Sequence, residues 1–249
     1  MVKNHTTVMK ALFLNKLPST NTYLTDELKA GRLKDECYVV VDYQEKGRGQ
    51  GANGWQSKSE ENLLMSLLFF PAFLSASMQF SLSIVASLAV CEVLKEVLPG
   101  AGIKWPNDIL IEDRKIAGIL MENGILDKSL SHSIIGVGMN VNQEEFPVFP
   151  RKATSVYLES GIRLQTKELA QEYAGTLERY MRRLKYGEGE KLELEYLERL
   201  FLKDKPSEFE SPEGVFQGII RGISPQGELL VEKGGKSRNY GFQEIRFLE

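Results

Sequence analysis

Short apolar runs separated by turn residues recur along the first half of the chain. Residues 38–41 form a β-branched run that predicts a buried strand, and residues 63–70 form a second apolar run that ends at a proline. Residues 133–141 and the shorter run 12–14 fit the same pattern, and two glycines within 133–141 permit close approach of another group to the backbone. The pattern therefore predicts several buried strands.

Three other segments favour helix. Residues 22–29 and 75–98 are each followed closely by glycine or proline, which end helices, and the second segment is apolar enough to be mostly buried. Residues 167–202 are rich in Glu, Leu, Lys and Arg, and they predict helix with a break near Gly187 or Gly189. The charges of this segment are typical of a solvated helix face.

Strands alternate with helices over about the first two hundred residues, a pattern that favours an α/β or α+β domain. Residues 109–112 and 115–122 add a predicted hairpin to this domain. Residues 215–247 consist instead of short strand-like runs between turn signals, which predict a small β-barrel-like module. We therefore expect two domains, a large one over residues 1–204 and a small β domain over residues 205–249.

The composition is that of an ordinary globular chain, with 249 residues, 42% of them hydrophobic, and a net charge of −3. This charge argues against a broad basic face for nucleic acid or anionic membranes. Cys37 and Cys91 lie in apolar stretches and predict buried free thiols, and no Cys/His cluster suggests zinc. The apolar segment 63–74 falls short of the ~20 residues that cross a bilayer. We expect a cytoplasmic location because no signal peptide is recognisable.

A glycine-rich loop over residues 44–55 follows one of the predicted strands. Its glycines allow successive backbone N–H groups to face one anion, and Arg48 adds a planar bidentate donor. Trp55 at the end of the loop is suited to cover an adenine or another ligand ring. The spacing fits neither a dinucleotide-binding GxGxxG loop nor a Walker motif, so a flexible surface hairpin is the alternative interpretation.

Two further polar segments are candidates for chemistry. In Lys104-Trp105-Pro106-Asn107-Asp108, a lysine at a strand end supplies a compact cation that would neutralise a carboxylate attacking an α-phosphate. A solvated lysine beside a core tryptophan is the alternative. The segment 19–21, Ser-Thr-Asn, precedes a predicted helix, so its side chains either cap that helix or donate to a polar ligand headgroup.

In this order along the chain, these segments resemble the biotin–protein ligase family. The resemblance extends from about Leu12 to the end of the chain and is most specific in the Lys-Trp-Pro-Asn-Asp motif. It continues through residues 115–120, Lys-Ile-Ala-Gly-Ile-Leu, and residues 136–140, Gly-Val-Gly-Met-Asn. The fold that the resemblance implies is a mixed sheet backed by helices, like that of class II aminoacyl-tRNA synthetases, followed by an SH3-like barrel.

The resemblance also implies a reaction and its site residues. Biotin would be activated with ATP and Mg²⁺ to biotinyl-5′-AMP and then transferred to a lysine of a biotin carboxyl carrier protein, with Lys104 and Arg48 as the catalytic residues. The implied biotin-binding residues are Ser19, Thr20, Asn21, Gln44, Gly47, Arg48, Gly49, Gln50, Lys104 and Gly118. The implied ATP-binding residues are Arg48, Gln50, Asn53, Trp55, Asn107, Lys115 and Asn140.

Two departures from the family pattern change what is expected. Many members carry arginine where Gln50 stands, so either the hold on the adenylate is looser here or another cation takes the place of that arginine. Some bacterial members carry an N-terminal DNA-binding domain, and only 18 residues precede Ser19, so we expect no operator binding. The client proteins implied are biotin-dependent carboxylases, and a homodimer through the sheet edge is possible.

Three rival functions remain at this point. A lipoate or octanoate ligase or transferase shares the fold type, but such enzymes carry an Arg-Arg-x-Ser-Gly-Gly-Gly segment that this sequence lacks. A DNA-binding biotin sensor without ligase activity would not need the intact motif around Lys104. An adaptor that binds peptides through the small β module would leave the glycine-rich loop unexplained.

Overall fold

The computed structural model describes residues 9–51, 53–147 and 152–248. Ala52 of the glycine-rich loop lies outside the described residues. The strands are β1 Lys10–Leu17, β2 Cys37–Gln44, β3 Asn62–Phe69, β4 Ala101–Lys104, β5 Asp108–Ile111, β6 Arg114–Leu126, β7 Ser129–Asn140, β8 Pro206–Ser211, β9 Gly214–Ile223, β10 Leu229–Lys233, β11 Lys236–Tyr240 and β12 Arg246–Leu248. The helices are α1 Thr20–Lys29, α2 Phe80–Leu94, α3 Val156–Ser160, α4 Thr166–Lys185 and α5 Gly189–Glu198.

A seven-stranded mixed sheet forms the larger part of the molecule. Its strand order is β1-β2-β3-β7-β6-β5-β4, with β1 parallel to β2 and the other neighbours antiparallel. Every residue of β3 is buried because this strand lies inside the sheet with packed elements on both faces. The mixed α+β class predicted from the sequence is confirmed.

The predicted strands and helices are present, with shifted ends. Strands β6 and β7 form a long hairpin, paired out to Leu126 and Ser129, although polar residues interrupt the apolar pattern there. Helix α2 covers only 15 of the 24 residues predicted, since a short 3₁₀ turn over Ala76–Met78 precedes it and turns follow it. The break between α4 and α5 falls where it was predicted, and the short helix α3 was not predicted.

Helix α2 is the central core helix of the protein. Leu82, Val85, Leu88 and neighbouring apolar side chains are buried on all sides of it. Together with the preceding turn it is 19 residues long, and by length and composition alone it could cross a membrane. Within the protein, however, 61% of its most apolar 18-residue stretch is buried. Such burial is typical of a helix whose apolar surface packs against protein. Both thiols are free and buried, as predicted.

The C-terminal strands form a separate five-stranded antiparallel sheet with the order β11-β10-β9-β8-β12. Its core, which includes Phe209 and Phe216, is continuous with the core under the large sheet. The indole of buried Trp105 donates a 2.8 Å hydrogen bond to the carbonyl oxygen of Gly227. This hydrogen bond links the β9–β10 connection of the second sheet to the turn that carries the Lys-Trp-Pro-Asn-Asp motif.

Candidate active site

Most of the predicted site residues meet in one cavity beneath the glycine-rich loop. This cavity, called the inner cavity below, lies between the N-terminus of α1, the loop and the middle of β6 and β7. It is lined by Ser19, Thr20, Asn21, Gln44, Arg48, Gly49, Gln50, Trp55, Met65, Asn107, Lys115, Gly118, Ile119, Leu120, Gly136, Val137 and Gly138.

One end of the inner cavity is uncharged and rich in hydrogen-bonding groups. Gln44 Oε1 accepts from the backbone N–H of Thr20 at 2.7 Å and from its hydroxyl at 3.1 Å. The hydroxyl of Ser66 lies 2.7 Å from the Thr20 hydroxyl oxygen. Ser19 also caps α1 through a 3.5 Å contact from Thr22 N. The segment 19–21 therefore both caps the helix and lines the cavity.

Asn21 is fixed in this end of the cavity from two directions. Its Oδ1 accepts from Ser66 Oγ at 2.6 Å, and its Nδ2 donates to Glu122 Oε2 at 2.8 Å. The amide lies directly on the backbone of Gly136, where a Cβ atom would overlap Asn21 Oδ1 and stand 3.0 Å from Cγ. A glycine at this position therefore makes room for the asparagine, as the strand pattern suggested.

The glycine-rich loop is folded as a tight hairpin. Gly49 N–H donates to Asn53 O at 2.8 Å, and Trp55 N–H donates to Gly47 O at 2.9 Å. A Cβ atom on Gly47 would collide with the carbonyl oxygen of Trp55, so only glycine fits at this point. Gly47 itself lies at the base of the loop and is not among the residues that line the inner cavity.

Arg48 reaches from the loop to the large sheet. Its NH2 lies 2.8 Å from Glu122 Oε1, and its NH1 lies 3.2 Å from Glu122 Oε2, which makes a bidentate ion pair. Pairs of this geometry are more specific than a single-point contact. The loop is thereby held over the inner cavity.

Trp55 lies on a floor of two glycines. A Cβ atom on Gly138 would stand 2.7 Å from the indole Cδ2, and one on Gly118 would stand 3.1 Å from Cζ3. Gly118 and Gly138 are direct partners across β6 and β7, so the indole covers both strands at once. Trp55 consequently forms the partition between the inner cavity and a second cavity.

This second cavity, called the outer cavity below, carries cationic groups. It is lined by Asn53, Gly54, Trp55, Gln56, Lys104, Asp108, Lys115, Asn140, Phe146 and Ala153. Lys115 Nζ lies 2.6 Å from Asp108 Oδ1 and 5.6 Å from the centre of the Trp55 ring. Lys104 Nζ lies 4.6 Å from the ring centre of Phe247 on β12, so the second sheet contacts this lysine.

The structure divides the predicted ATP-binding residues between the two cavities. Asn53 and Asn140 line the outer cavity and not the inner one, whereas Trp55 and Lys115 line both. Lys104, which was predicted to bind biotin, also lines only the outer cavity. Asn107 lines the inner cavity, and its Nδ2 donates to Ile119 O at 2.7 Å. The Nδ2 atom of Asn140 donates to Thr154 O at 2.9 Å. The two asparagines therefore also brace the backbone around the site.

Two buried polar atoms in the inner cavity have no hydrogen-bond partner among the described residues: Gln50 Oε1 and Trp55 Nε1. Buried polar atoms in native proteins nearly always have a partner. The residues that line this cavity thus include one acceptor and one donor that no described residue satisfies.

Sequence analysis missed two residues of this site, Ser66 and Glu122. Ser66 is the one polar residue inside the otherwise apolar strand Leu-Leu-Met-Ser-Leu-Leu-Phe, which was an available signal. Glu122 lies in a mixed stretch of β6 with nothing in its neighbours to mark it. Its partners Arg48 and Asn21 are 74 and 101 residues away in sequence, so only the fold reveals the contact.

The fold and the two cavities define a site for small molecules of the kind found in enzymes. This site has an uncharged polar end, a glycine floor and a cationic end. The chain belongs to the biotin/lipoate A/B protein ligase family, since the model of that family matches residues 13–140.

Individual relatives agree with this assignment. The bifunctional ligase/repressor BirA of Escherichia coli (strain K12) is 33% identical over 229 residues, which cover 88% of this chain and 68% of that protein. The biotin–[acetyl-CoA-carboxylase] ligase of Mycobacterium tuberculosis is 29% identical over 88% of this chain and 82% of its own length. A structure of the biotin protein ligase from Aquifex aeolicus in complex with biotin and ATP superimposes with a TM-score of 0.79. The two chains are 25% identical, over 96% of this chain and 99% of that one.

Proposed function

We propose that this protein is a biotin–protein ligase, which activates biotin with ATP to biotinyl-5′-AMP and transfers the biotinyl group to a lysine of a carrier protein. One observation carries the proposal. The inner cavity, with neutral hydrogen-bonding groups at one end, and the outer cavity, lined by Lys104 and Lys115, meet at the indole of Trp55 on a glycine floor. Ligases of this name among the relatives and the biotin and ATP complex of the similar structure support the same function.

The polar end of the inner cavity suits the ureido ring of biotin. That ring offers one carbonyl acceptor and two N–H donors, and Ser19, Thr20, Asn21 and Gln44 supply both kinds of group. The dithiolane ring of lipoate offers none of these and would form no hydrogen bond with the groups at this end. A site built to hydrogen-bond a substrate rejects an analogue that lacks the bonding groups. This chemistry favours biotin over the lipoate alternative.

The adenylation step is assigned to the junction of the two cavities. An oxygen of the biotin carboxylate attacks the α-phosphorus of ATP, and pyrophosphate leaves with the electrons of the broken P–O bond. Lys104 and Arg48 are the proposed catalytic residues, because cations placed there offset the charge that develops on the phosphate. Lys115, Asn53, Asn107, Asn140 and the ring of Trp55 would hold the nucleotide.

Mg²⁺ is expected to arrive with the nucleotide. No group of three or more His, Cys, Asp or Glu side chains that suits a metal is found among the described residues. Mg²⁺ commonly keeps several waters and binds substrate phosphates, so a carboxylate cage is not required of the protein. The ion would neutralise phosphate charge during the reaction.

Transfer of biotin requires a route for the carrier lysine. A groove between the large sheet and the second sheet contains Phe242 and Gln226, and it shares Gln50 and Asn107 with the inner cavity. The lysine amine would attack the acyl carbon of the adenylate, and AMP would leave. We propose that the carrier is the biotin carboxyl carrier domain of a biotin-dependent carboxylase, as the name of the mycobacterial relative suggests.

We propose a catalytic domain over residues 1–204 resembling class II aminoacyl-tRNA synthetases and an SH3-like barrel over residues 205–249, which the start of the second sheet at Pro206 supports. We also propose a cytoplasmic enzyme without a nucleic-acid partner, and the net charge of −3 supports the second point because it argues against a broad basic face. Pairing through the sheet edge formed by β1 would give the possible homodimer.

Pyrophosphate release tests the function directly. The purified protein is mixed with ATP and Mg²⁺ and with either biotin or lipoate, and the same assay is run on Lys104→Ala. The exposed Lys95 on the far end of α2 provides the control Lys95→Ala. Pyrophosphate release that requires biotin and is lost only in Lys104→Ala supports both the ligase activity and the catalytic role of Lys104.

Other results would change the assignment. Release with lipoate alone moves the protein to the rival activity within the same family. Absence of release with either acid, from protein that unfolds cooperatively on heating, refutes the enzyme. Equal loss in both lysine variants removes Lys104 from the mechanism.

A further inference from the structure

We propose that Glu122 is a positioning residue that latches the glycine-rich loop shut and aligns the biotin-binding end of the site. It would act through Arg48 on the loop and Asn21 on α1, without touching the reacting atoms. The ligand part of this inference rests on the proposed function, whereas the loop part does not.

Glu122 is held by a strand in the interior of the large sheet. It lies on β6 opposite Ile134 of β7, within the seven-stranded sheet. The loop, in contrast, is stabilised largely by its own hairpin bonds, such as Gly49 N–H to Asn53 O. The bidentate Arg48–Glu122 contact therefore joins a glycine-rich hairpin to a fixed strand.

The same carboxylate also sets the orientation of Asn21. Oxygen Oε2 of Glu122 accepts from Asn21 Nδ2 at 2.8 Å and from Arg48 NH1 at 3.2 Å. With Ser66 donating to Asn21 Oδ1, the amide has one defined orientation. One carboxylate thus couples closure of the loop to alignment of the polar end of the cavity.

The neighbouring contacts are consistent with a latch at this point. Arg48 NH1 also lies 3.5 Å from Thr22 Oγ1 on α1, so the guanidinium spans from the helix to the sheet. Below it lies the inner cavity, which both Arg48 and Asn21 line. The loop covers that cavity, so the strength of the latch should appear in ligand retention.

The chain offers a matched ion pair elsewhere for comparison. Arg221 and Glu232 lie 2.9 Å apart on the second sheet, and the Glu232 side chain is 32% exposed, against 31% for Glu122. Glu232→Gln therefore removes a carboxylate of similar exposure far from the loop. Glu122→Gln keeps the size of the side chain and removes the charge that holds Arg48.

Two measurements are made on the wild type, Glu122→Gln and Glu232→Gln. Limited trypsin digestion followed by mass spectrometry measures nicking after the exposed loop residues Lys46 and Arg48. Calorimetry measures biotin affinity, and pyrophosphate release gives kcat and the KM for biotin. We expect Glu122→Gln to nick faster and to bind biotin about tenfold to a hundredfold more weakly, the usual range for a lost charge-assisted bond. Because Glu122 also holds Arg48, a proposed catalytic residue, we expect kcat at saturating biotin to fall as well, but by less than the biotin affinity.

A charge swap provides the result that a merely structural role would not give. Arg48→Glu should open the loop to cleavage at Lys46, and adding Glu122→Arg should restore resistance at that bond by re-forming the pair in reverse. Restored resistance supports the latch. A double variant as sensitive as Arg48→Glu overturns it.

The remaining outcomes are also decisive. Glu122→Gln that behaves like Glu232→Gln in both measurements overturns the inference, and so does faster nicking with unchanged biotin affinity. A loss of kcat larger than the loss of biotin affinity would place Glu122 in the chemistry instead of in positioning. If the wild type itself fails to bind biotin, the proposed function fails, and the digestion series still decides whether Glu122 holds the loop.

Discussion

Two glycines two residues apart on β7 should control different substrates. Gly136 faces Asn21 and Gly138 faces Trp55, on the same side of the strand. Replacing each with alanine adds one methyl group to the floor of the site at a defined place. We expect Gly136→Ala to weaken biotin binding and Gly138→Ala to weaken ATP binding.

The effect of Gly136→Ala follows from the bonds of Asn21. The added Cβ overlaps Asn21 Oδ1, so the amide must move and give up its contacts with Ser66 and Glu122, at 2.6 Å and 2.8 Å. Two hydrogen bonds at about 0.5–1.5 kcal/mol each amount to about 1–3 kcal/mol. We therefore expect biotin affinity to fall by about fivefold to 150-fold.

The effect of Gly138→Ala follows from the indole. The new Cβ would stand 2.7 Å from Trp55 Cδ2, whereas ordinary contact begins at 3.4 Å, so the ring has to retreat from the floor. Stacking of a base on an aromatic ring contributes about 1–3 kcal/mol, and a displaced ring loses part of it. We expect the KM for ATP to rise by about fivefold or more, with a smaller change for biotin.

Calorimetry with biotin and pyrophosphate–ATP exchange at varied ATP concentrations measure the two effects. Gly102→Ala on β4 is the control, since the nearest atom to its added Cβ is 3.6 Å away. If both variants weakened the same substrate equally, the assignment of the polar end to biotin and of Trp55 to the nucleotide would be refuted.

Two further predictions concern stability and reactivity. Trp105→Phe should lower the free energy of unfolding, measured by chemical denaturation, by about 1–3 kcal/mol, because the buried Gly227 carbonyl loses its donor. Trp55→Phe should lower it less, since the indole N–H of Trp55 has no partner among the described residues. Neither thiol should react with a disulfide reagent at pH 8 in the folded protein, because burial raises the pKa of Cys91 to about 12 and also raises the pKa of Cys37, and both should react once the protein is unfolded. A thiol titrated in the native protein would contradict this account of burial.

The parts of the fold that could be predicted depend on local pattern. A run such as residues 38–41 must be buried wherever it lies, so its strand was predictable without knowing its neighbours. The ends of β6 and β7 were not predictable in the same way. The ends of these strands nearest their connection pair with each other as far as Leu126 and Ser129. Such pairing depends on both segments together and cannot be read from either one alone.

The same distinction applies to the site. The motif around Lys104 indicated which residues matter, but not that Lys104 would line the outer cavity beneath Phe247 of the second sheet. The two glycines within residues 133–141 predicted a close approach to the backbone. The approaching groups are Asn21 from α1 and Trp55 from the loop, which lie far away in sequence.

The glycine floor also explains why the two cavities adjoin so closely. Gly118 and Gly138 are cross-strand partners, so no side chain rises between β6 and β7 at that level. The indole of Trp55 fills this space as a thin partition and leaves Lys115 in contact with both cavities. A side chain at either glycine would thicken the partition and move the ligands apart. Since a carboxylate must come within near-contact distance of phosphorus to react, we expect both glycines to be needed for the proposed adenylation step and not only for packing.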